Sequence, residues 1–146
     1  MIDVSTIGFT QTTAEHFFER LKSSGAKKLI DVRLNNTSQL SGFAKAKDLK
    51  YFSWHLCGVK YIHRPELAPT QQILDAFKKD KGDWSVYRYK FLKLMDHRAI
   101  ENKLHKDLIE DSCLLCSEAK PHHCHRSLVC EYLNGKWGSQ LRVRHL

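Results

Sequence analysis

No stretch of this 146-residue chain approaches the ~20 consecutive apolar residues that a membrane span needs, so no membrane partner is expected. Met1-Ile2-Asp3-Val4 holds no basic segment leading into an apolar one. No secretory leader is therefore expected, and the cytoplasm is the expected compartment. Internal repeats, low-complexity tracts and linkers long enough to separate domains are all missing. A single domain over residues 1–146 is the expectation, long enough to bury a core. Acidic residues are in deficit, with 16 Asp and Glu against 24 Lys and Arg, a formal charge of +8. Such an excess attracts polyanions through steering and counterion release, which suggests nucleic acid or a phosphorylated small molecule as a partner. The basic groups at Lys78, Lys79, Lys81, Arg142 and Arg144 read as solvated faces that can add to such a surface.

What is present is an alternation of short apolar strands and amphipathic helices. Ile2 to Ile7 reads as a strand closed by Gly8. Thr12 then caps a helix, with Glu15 completing a capping box and Gly25 as the left-handed stop. Lys28 to Val32 is a second strand, followed by Arg33 and a polar loop from Asn35 to Gly42. Leu49, Phe52 and Leu56 recur with helical spacing over Lys45 to Cys57, and Gly58 stops that helix. Val59 to His63 is a third strand. Thr70 caps a helix presenting Ile73, Leu74 and Phe77. Trp84 to Met95 and Asp96 to Ile109 read as helix broken near Asp96. Ser112 to Cys116 is the fourth strand, Ser127 to Leu133 a helix ended by Asn134-Gly135, and Leu141 to His145 the last strand. Trp54, Trp84, Tyr87 and Tyr89 read as core or packing residues, and Cys57, Cys113 and Cys130 as buried thiols.

Strands alternating with helices imply parallel βαβ units with right-handed crossovers. The expected product is a Rossmann-like three-layer α/β/α sandwich around a mostly parallel sheet of about five strands. If its order is 3-2-1-4-5, the ligand crevice lies between strands one and four, beyond their carboxyl ends. Gly8, Arg33, His63 and Cys116 stand at those ends.

The stretch Cys116-Ser-Glu-Ala-Lys-Pro-His-His-Cys-His-Arg126 concentrates the chemistry. Four of the five cysteines fall between positions 113 and 130, which raises metal binding. Cys113 is a poor partner for Cys116, because residues three apart on a strand face opposite ways. A mononuclear site from Cys116, Cys124 and a histidine remains, with zinc as the divalent metal it would suit. Cys124 before a helix start, flanked by His123, His125 and Arg126, also has the setting of an activated nucleophile. The phosphatase and rhodanese cradle is excluded, since it needs about five residues between Cys and Arg and only His125 intervenes here. Arg126 with the first N–H groups of a helix near Ser127 makes an anion receptor. Glu118 can exchange a proton with His123 or His125. Cys116 and Cys124 can also meet in a disulfide across their loop. These readings stay open together.

The segments Thr6-Ile7-Gly8, Leu29-Ile30-Asp31-Val32-Arg33, Ser41-Gly42-Phe43, Gly58-Val59-x-Tyr61-x-His63 and Leu114-Leu115-Cys116-x-Glu118…Cys124-His125-Arg126 resemble the DUF488 family, in order and over nearly the whole chain. The Cys-x-Glu…Cys-His-Arg end is the specific piece. The resemblance implies a compact α/β domain with its motif residues gathered near one cleft, and roles suggested for the family lie in nucleic-acid processing or repair. One departure is visible: the family's first turn usually reads Gly-His-Ser or Gly-His-Thr, where this chain has Gly8-Phe9-Thr10. A role for that histidine is absent here or falls to His63 or His125.

The expected function is an enzyme acting on a phosphate-containing substrate or nucleic acid. Glu118, Cys124, His125 and His63 are its candidate catalytic residues, Arg33, Arg126, Thr6 and Gly8 its anion site, and Cys116 with Cys124 its candidate metal ligands. The alternatives are a non-catalytic nucleic-acid or nucleotide binding module and a metal- or redox-sensing domain.

Overall fold

The computed structural model describes residues 1–37, 42–79, 82–117 and 124–146. Five strands form one parallel sheet: β1 (Ile2–Gly8), β2 (Lys28–Asp31), β3 (Lys60–His63), β4 (Ser112–Cys116) and β5 (Leu141–His145). Helix α1 (Ala14–Ser23) follows β1, and α2 (Ala46–Cys57) follows β2. Four helices, α3 (Gln71–Lys79), α4 (Trp84–His97), α5 (Ile100–Lys103) and α6 (Lys106–Ile109), lie between β3 and β4, and α7 (His125–Lys136) joins β4 to β5. This is a single-domain α/β fold. Among the described residues no helix is long and apolar enough to cross a membrane.

The strand order is β3-β2-β4-β1-β5, not 3-2-1-4-5. Crossover rules fix the hand of a connection but not how many positions it skips. Burial fixes the rest. All five residues of β4 are buried, as a strand covered on both faces requires. The more polar β3 (Lys-Tyr-Ile-His) and β5 (Leu-Arg-Val-Arg-His) take the edges.

Side-chain parity divides the core into two layers. Ile7, Leu29, Cys113 and Leu115 pack with Phe17, Phe18 and Leu21 of α1 and Leu49 of α2. Val4, Ile30, Leu114 and Cys116 face the other way, onto Phe91 and Met95 of α4 and Leu128, Val129 and Leu133 of α7. Each large apolar side chain so enclosed contributes about 1.5–3 kcal/mol. Chain travel explains the sides. Going from β1 through β2 to β3 the chain moves one way along the sheet, then β3 to β4 to β5 moves back, so right-handed crossovers put the two helix sets on opposite faces.

Several local expectations shift. The N-cap of α1 is Thr13, whose hydroxyl accepts the His16 N–H at 3.1 Å, so the Thr12–Glu15 capping box does not form. The break expected near Asp96 falls at Ala99, which turns left-handed with φ 52°. Helix α7 begins two residues before Ser127 and runs through Asn134-Gly135, because the Asn134 carboxamide is engaged with the Leu141 N–H at 2.9 Å and the left-handed stop falls on Gly138 (φ 65°). Trp54 and Tyr89, expected as core or packing residues, are 59% and 64% exposed. Cys57 is half-buried, whereas Cys113 and Cys130 are buried as expected.

Candidate functional site

The carboxyl end of β4 is the point from which the site is built. Gly8 pairs with Cys116 in register, and the Phe9 and Thr10 N–H groups both donate to the Ser117 carbonyl, at 3.3 and 3.1 Å. On the other side, the Val32 N–H donates to the Leu115 carbonyl at 3.0 Å. Strand β4 is thus flanked by β1 and β2, whose outgoing helices lie on the face opposite to α7. A crevice opens where outgoing connections diverge in this way. The Gly8 turn stands beside Cys116 even though the strand order differs from expectation.

Asp31 and Arg33 leave β2 into this crevice as a buried, bidentate ion pair. Arg33 Nε donates to Asp31 Oδ1 at 2.8 Å and Nη2 to Oδ2 at 2.7 Å, with side-chain exposures of 3% and 0%. The carboxylate also accepts the Arg33 backbone N–H at 3.1 Å and the Tyr61 hydroxyl at 2.5 Å. Asn36 Nδ2 donates in turn to the Tyr61 oxygen at 3.1 Å. Burial and the bond to Asp31 push the Tyr61 hydroxyl well up, so it stays a donor. The guanidinium lies 5.1 Å from the Phe9 ring centroid, a cation–π distance. Its Nη1 is buried and has no hydrogen-bond partner among the described residues. His63 supports this turn from β3, with Nε2–H donating to the Arg33 carbonyl at 2.9 Å.

On the return, Cys124 is the extended N-cap of α7 (φ −130°, ψ 138°). Because Cys116 shares the face of Leu114, the helix start lands over it, and the two sulfurs are joined. His125 is half-buried, and its Nε2–H donates to the Val32 carbonyl at 2.6 Å. Loss of solvation lowers its pKa to about 4, against the opposing pull of that hydrogen bond, so the ring is neutral at neutral pH. Arg126 is fully buried, and its Nη1 approaches Cys116 Sγ at 3.7 Å. Burial pushes Cys130 up to about 12 and Cys113 further, which leaves both thiols unreactive.

A cleft of about 460 Å³ opens over these groups. Its floor is Arg33, Cys116, Ser117, Cys124 and His125, and its wall includes Leu74, Phe77, Trp84 and Tyr87, with Lys78 beside them. Trp84 and Tyr87 stack at 5.1 Å with 19° between planes. Another depression, of about 400 Å³, lies at the opposite end of the strands around Asp3, Asp111 and Arg142. Its charges are met locally: Arg142 pairs with Asp3 at 2.5 Å and Lys27 with Asp111 at 3.9 Å.

A family model described as Domain of unknown function DUF488 matches residues 13–133. The chain belongs to the DUF488 family. No curated protein and no solved structure matches it. The match takes in the Asp31–Arg33 turn, Tyr61, His63 and the Cys116–Arg126 segment, while β1 lies before it and β5 after it.

The DUF488 fold gathers some of the candidate residues and separates others. Arg33, Cys116, Cys124 and His125 share the cleft. Arg126 is not among the described residues that line it: with α7 starting at His125, Arg126 is the second helical residue and is fully buried beside Cys116 Sγ. Thr6 is buried under β5, its hydroxyl sharing a 2.6 Å hydrogen bond with His145 Nδ1, and the Gly8 carbonyl accepts Arg20 Nη2 at 3.2 Å. His63 ties β3 to Arg33 rather than lining the cleft. Glu118 and His123 lie outside the described residues. Sequence reading missed the support that Tyr61, Asn36 and Phe9 give Arg33, and it missed Trp84 and Tyr87 as part of the cleft wall. Tyr61 was available as a motif residue of the family resemblance, and its place two positions before His63 on a strand puts both on the same face.

Proposed function

We propose that this protein is an enzyme acting on a phosphate-bearing small molecule of nucleotide size, bound in the cleft beyond β4. The observation that carries the reading is Arg33, a buried guanidinium at the cleft floor that Asp31 fixes through two nitrogens while Nη1 stays unpartnered among the described residues. A preorganised guanidinium is suited to phosphate oxygens. The start of α7 adds positive potential at the same floor. The cleft volume of about 460 Å³ fits a ligand of this class, and the Trp84–Tyr87 stack offers its ring an apolar face. The reactive groups in reach are the sulfurs of Cys116 and Cys124, with Arg126 favouring thiolate on Cys116 in the reduced chain. Glu118 remains the proposed proton carrier, a role that the neutral, engaged His125 is poorly placed to fill.

Calorimetric titration with a nucleoside monophosphate and with the matching nucleoside separates the phosphate contribution. The phosphorylated ligand is expected to bind in a salt-sensitive way and the nucleoside at least tenfold more weakly. Lys78→Glu is expected to weaken the first several-fold, and Trp84→Ala to weaken both by about tenfold, the value of one lost stacking contact. Equal affinity for the two ligands, or none for either, would overturn the reading. Hydrolysis of nucleotides, DNA and RNA, with and without divalent metal, tests turnover. Rates no higher than those of Glu118→Gln and Cys124→Ser would leave binding without catalysis.

A separate observation favours nucleic acid as a partner. Helix α2 exposes Tyr51 (57%) and Trp54 (59%) beside Lys47, Lys50 and His55, which together line a shallow depression of about 320 Å³. Aromatic faces interleaved with lysines suit the bases and phosphates of a single strand. Fluorescence anisotropy with a labelled single-stranded oligonucleotide is expected to show binding that falls with salt and drops about tenfold in Trp54→Ala. Unchanged binding in Trp54→Ala and Lys50→Glu would remove this surface from consideration.

A further inference from the structure

The groups at the cleft floor have a second property that phosphate binding does not use. Cys116 Sγ, Cys124 Sγ and a ring nitrogen of His125 all lie within 4.8 Å of one another. They come from the end of β4 and the start of α7, with Cys124 as its N-cap. Two sulfurs and an imidazole are a soft donor set that selects zinc over magnesium or calcium. The support around them is of the kind that metal ligands have. His125 donates Nε2–H to the Val32 carbonyl at 2.6 Å, which leaves Nδ1 as the nitrogen with the lone pair. Arg126 Nη1, at 3.7 Å from Cys116 Sγ, favours the deprotonated sulfur that a metal requires. The Cα atoms of the two cysteines stand 7.5 Å apart, wide enough for an ion between their side chains. Cys113 cannot join them, since it lies in the layer facing α1 and α2.

We propose that Cys116, Cys124 and His125 form a zinc site in the reduced chain, and that a peroxide opens it by joining the two sulfurs. Three protein ligands leave one coordination position for water or substrate. In the oxidation, one thiolate attacks a peroxide oxygen and becomes a sulfenic acid, and the second sulfur displaces its hydroxyl. Two thiolates, one hydrogen peroxide and two protons give one disulfide and two waters, and the zinc ion leaves with its ligands consumed. This site stands on its own geometry and does not depend on a phosphate ligand in the cleft.

The full chain, reduced and stripped of metal, is titrated with cobalt(II) and then with zinc. One equivalent of cobalt is expected, with sulfur-to-cobalt charge-transfer bands that zinc abolishes. Cys116→Ser and Cys124→Ser are expected to lose the bands and Cys57→Ser to keep them. Because Cys116→Ser alters a buried position, zinc protection of Cys116 and Cys124 against alkylation in the unsubstituted chain is measured alongside. Adding peroxide is expected to release one zinc for each two thiols lost, and reductant to restore binding. Absent cobalt bands together with unprotected cysteines would overturn the zinc site. Peroxide that consumes Cys116 and Cys124 separately, without joining them, would overturn the switch.

Discussion

Arg33→Met is expected to lower folding stability by about 3–5 kcal/mol, the usual consequence of stranding one member of a buried ion pair. Asp31 is fully buried and Arg33 nearly so, and the two share a bidentate contact at 2.7 and 2.8 Å. Without the guanidinium, the carboxylate keeps the Tyr61 hydroxyl and one backbone N–H but loses its only described cationic partner. Asp31→Asn is expected to have a similar effect, because it leaves a buried guanidinium without its counter-charge. The two substitutions together are expected to cost less than their sum by more than about 1 kcal/mol, since neither then strands the other. Urea unfolding of both single variants and the double variant measures this coupling. Strictly additive losses would show that the pair is not an energetic unit. The same rigidity bears on the proposed binding: a guanidinium already held by Asp31 has little freedom left to lose at the cleft floor. It also means that loss of ligand binding in Arg33→Met is meaningful only beside its unfolding curve.

Periodicity made most of this architecture readable. The strand Ser112–Cys116 and the strand Leu141–His145 fall where apolar runs and turn residues place them, because short hydrophobic segments between polar loops have few alternatives. Strand order was not readable in the same way. The pattern of one segment says that it is a strand, and only comparison of whole-strand burial says that Ser-Cys-Leu-Leu-Cys belongs in the centre. Aromatic residues misled for a related reason. Residue type does not set the face of a helix, and in α2 the inward positions are Leu49 and Ser53, which turns Trp54 out to solvent.

The site was only partly legible, and the failure turned on where one helix begins. Starting α7 at Ser127 leaves Arg126 in a loop, free to meet a ligand. Starting it at His125 places Arg126 one step into the helix, where its side chain is driven inward against Cys116. Helix boundaries are the least certain feature of a sequence pattern, and no proline or strong capping residue marks this one. Asp31-x-Arg33 could be read as a turn pair or as a site pair. It is a salt bridge of which Arg33 alone lines the cleft, and its third member, Tyr61, sits thirty positions away on a strand whose register no local signal reveals.

Acidification is expected to weaken the fold through His125, with a window that follows from its shift. Its folded pKa is lowered to about 4 from the ordinary 6.5. Above pH 6.5 the ring is neutral in both the folded and unfolded chain, and the group makes no pH-dependent contribution. Between pH 6.5 and about 4 the unfolded chain takes up a proton that the folded chain refuses, so stability falls as pH falls. The loss from this group totals roughly 3 kcal/mol and is complete only once the pH has fallen below about 4. Burial lowers His145 as well, so it acts in the same direction. Carboxylates begin to titrate in the lower half of this range, which makes the difference between two chains the informative quantity. His125→Gln retains a donor for the Val32 carbonyl but has nothing to titrate. Urea unfolding at half-unit steps from about pH 4 to 7 is expected to give a steeper decline for the unsubstituted chain than for His125→Gln. Parallel curves would mean that water reaches the ring, and that the tie between β2 and the start of α7 is looser than a 2.6 Å hydrogen bond.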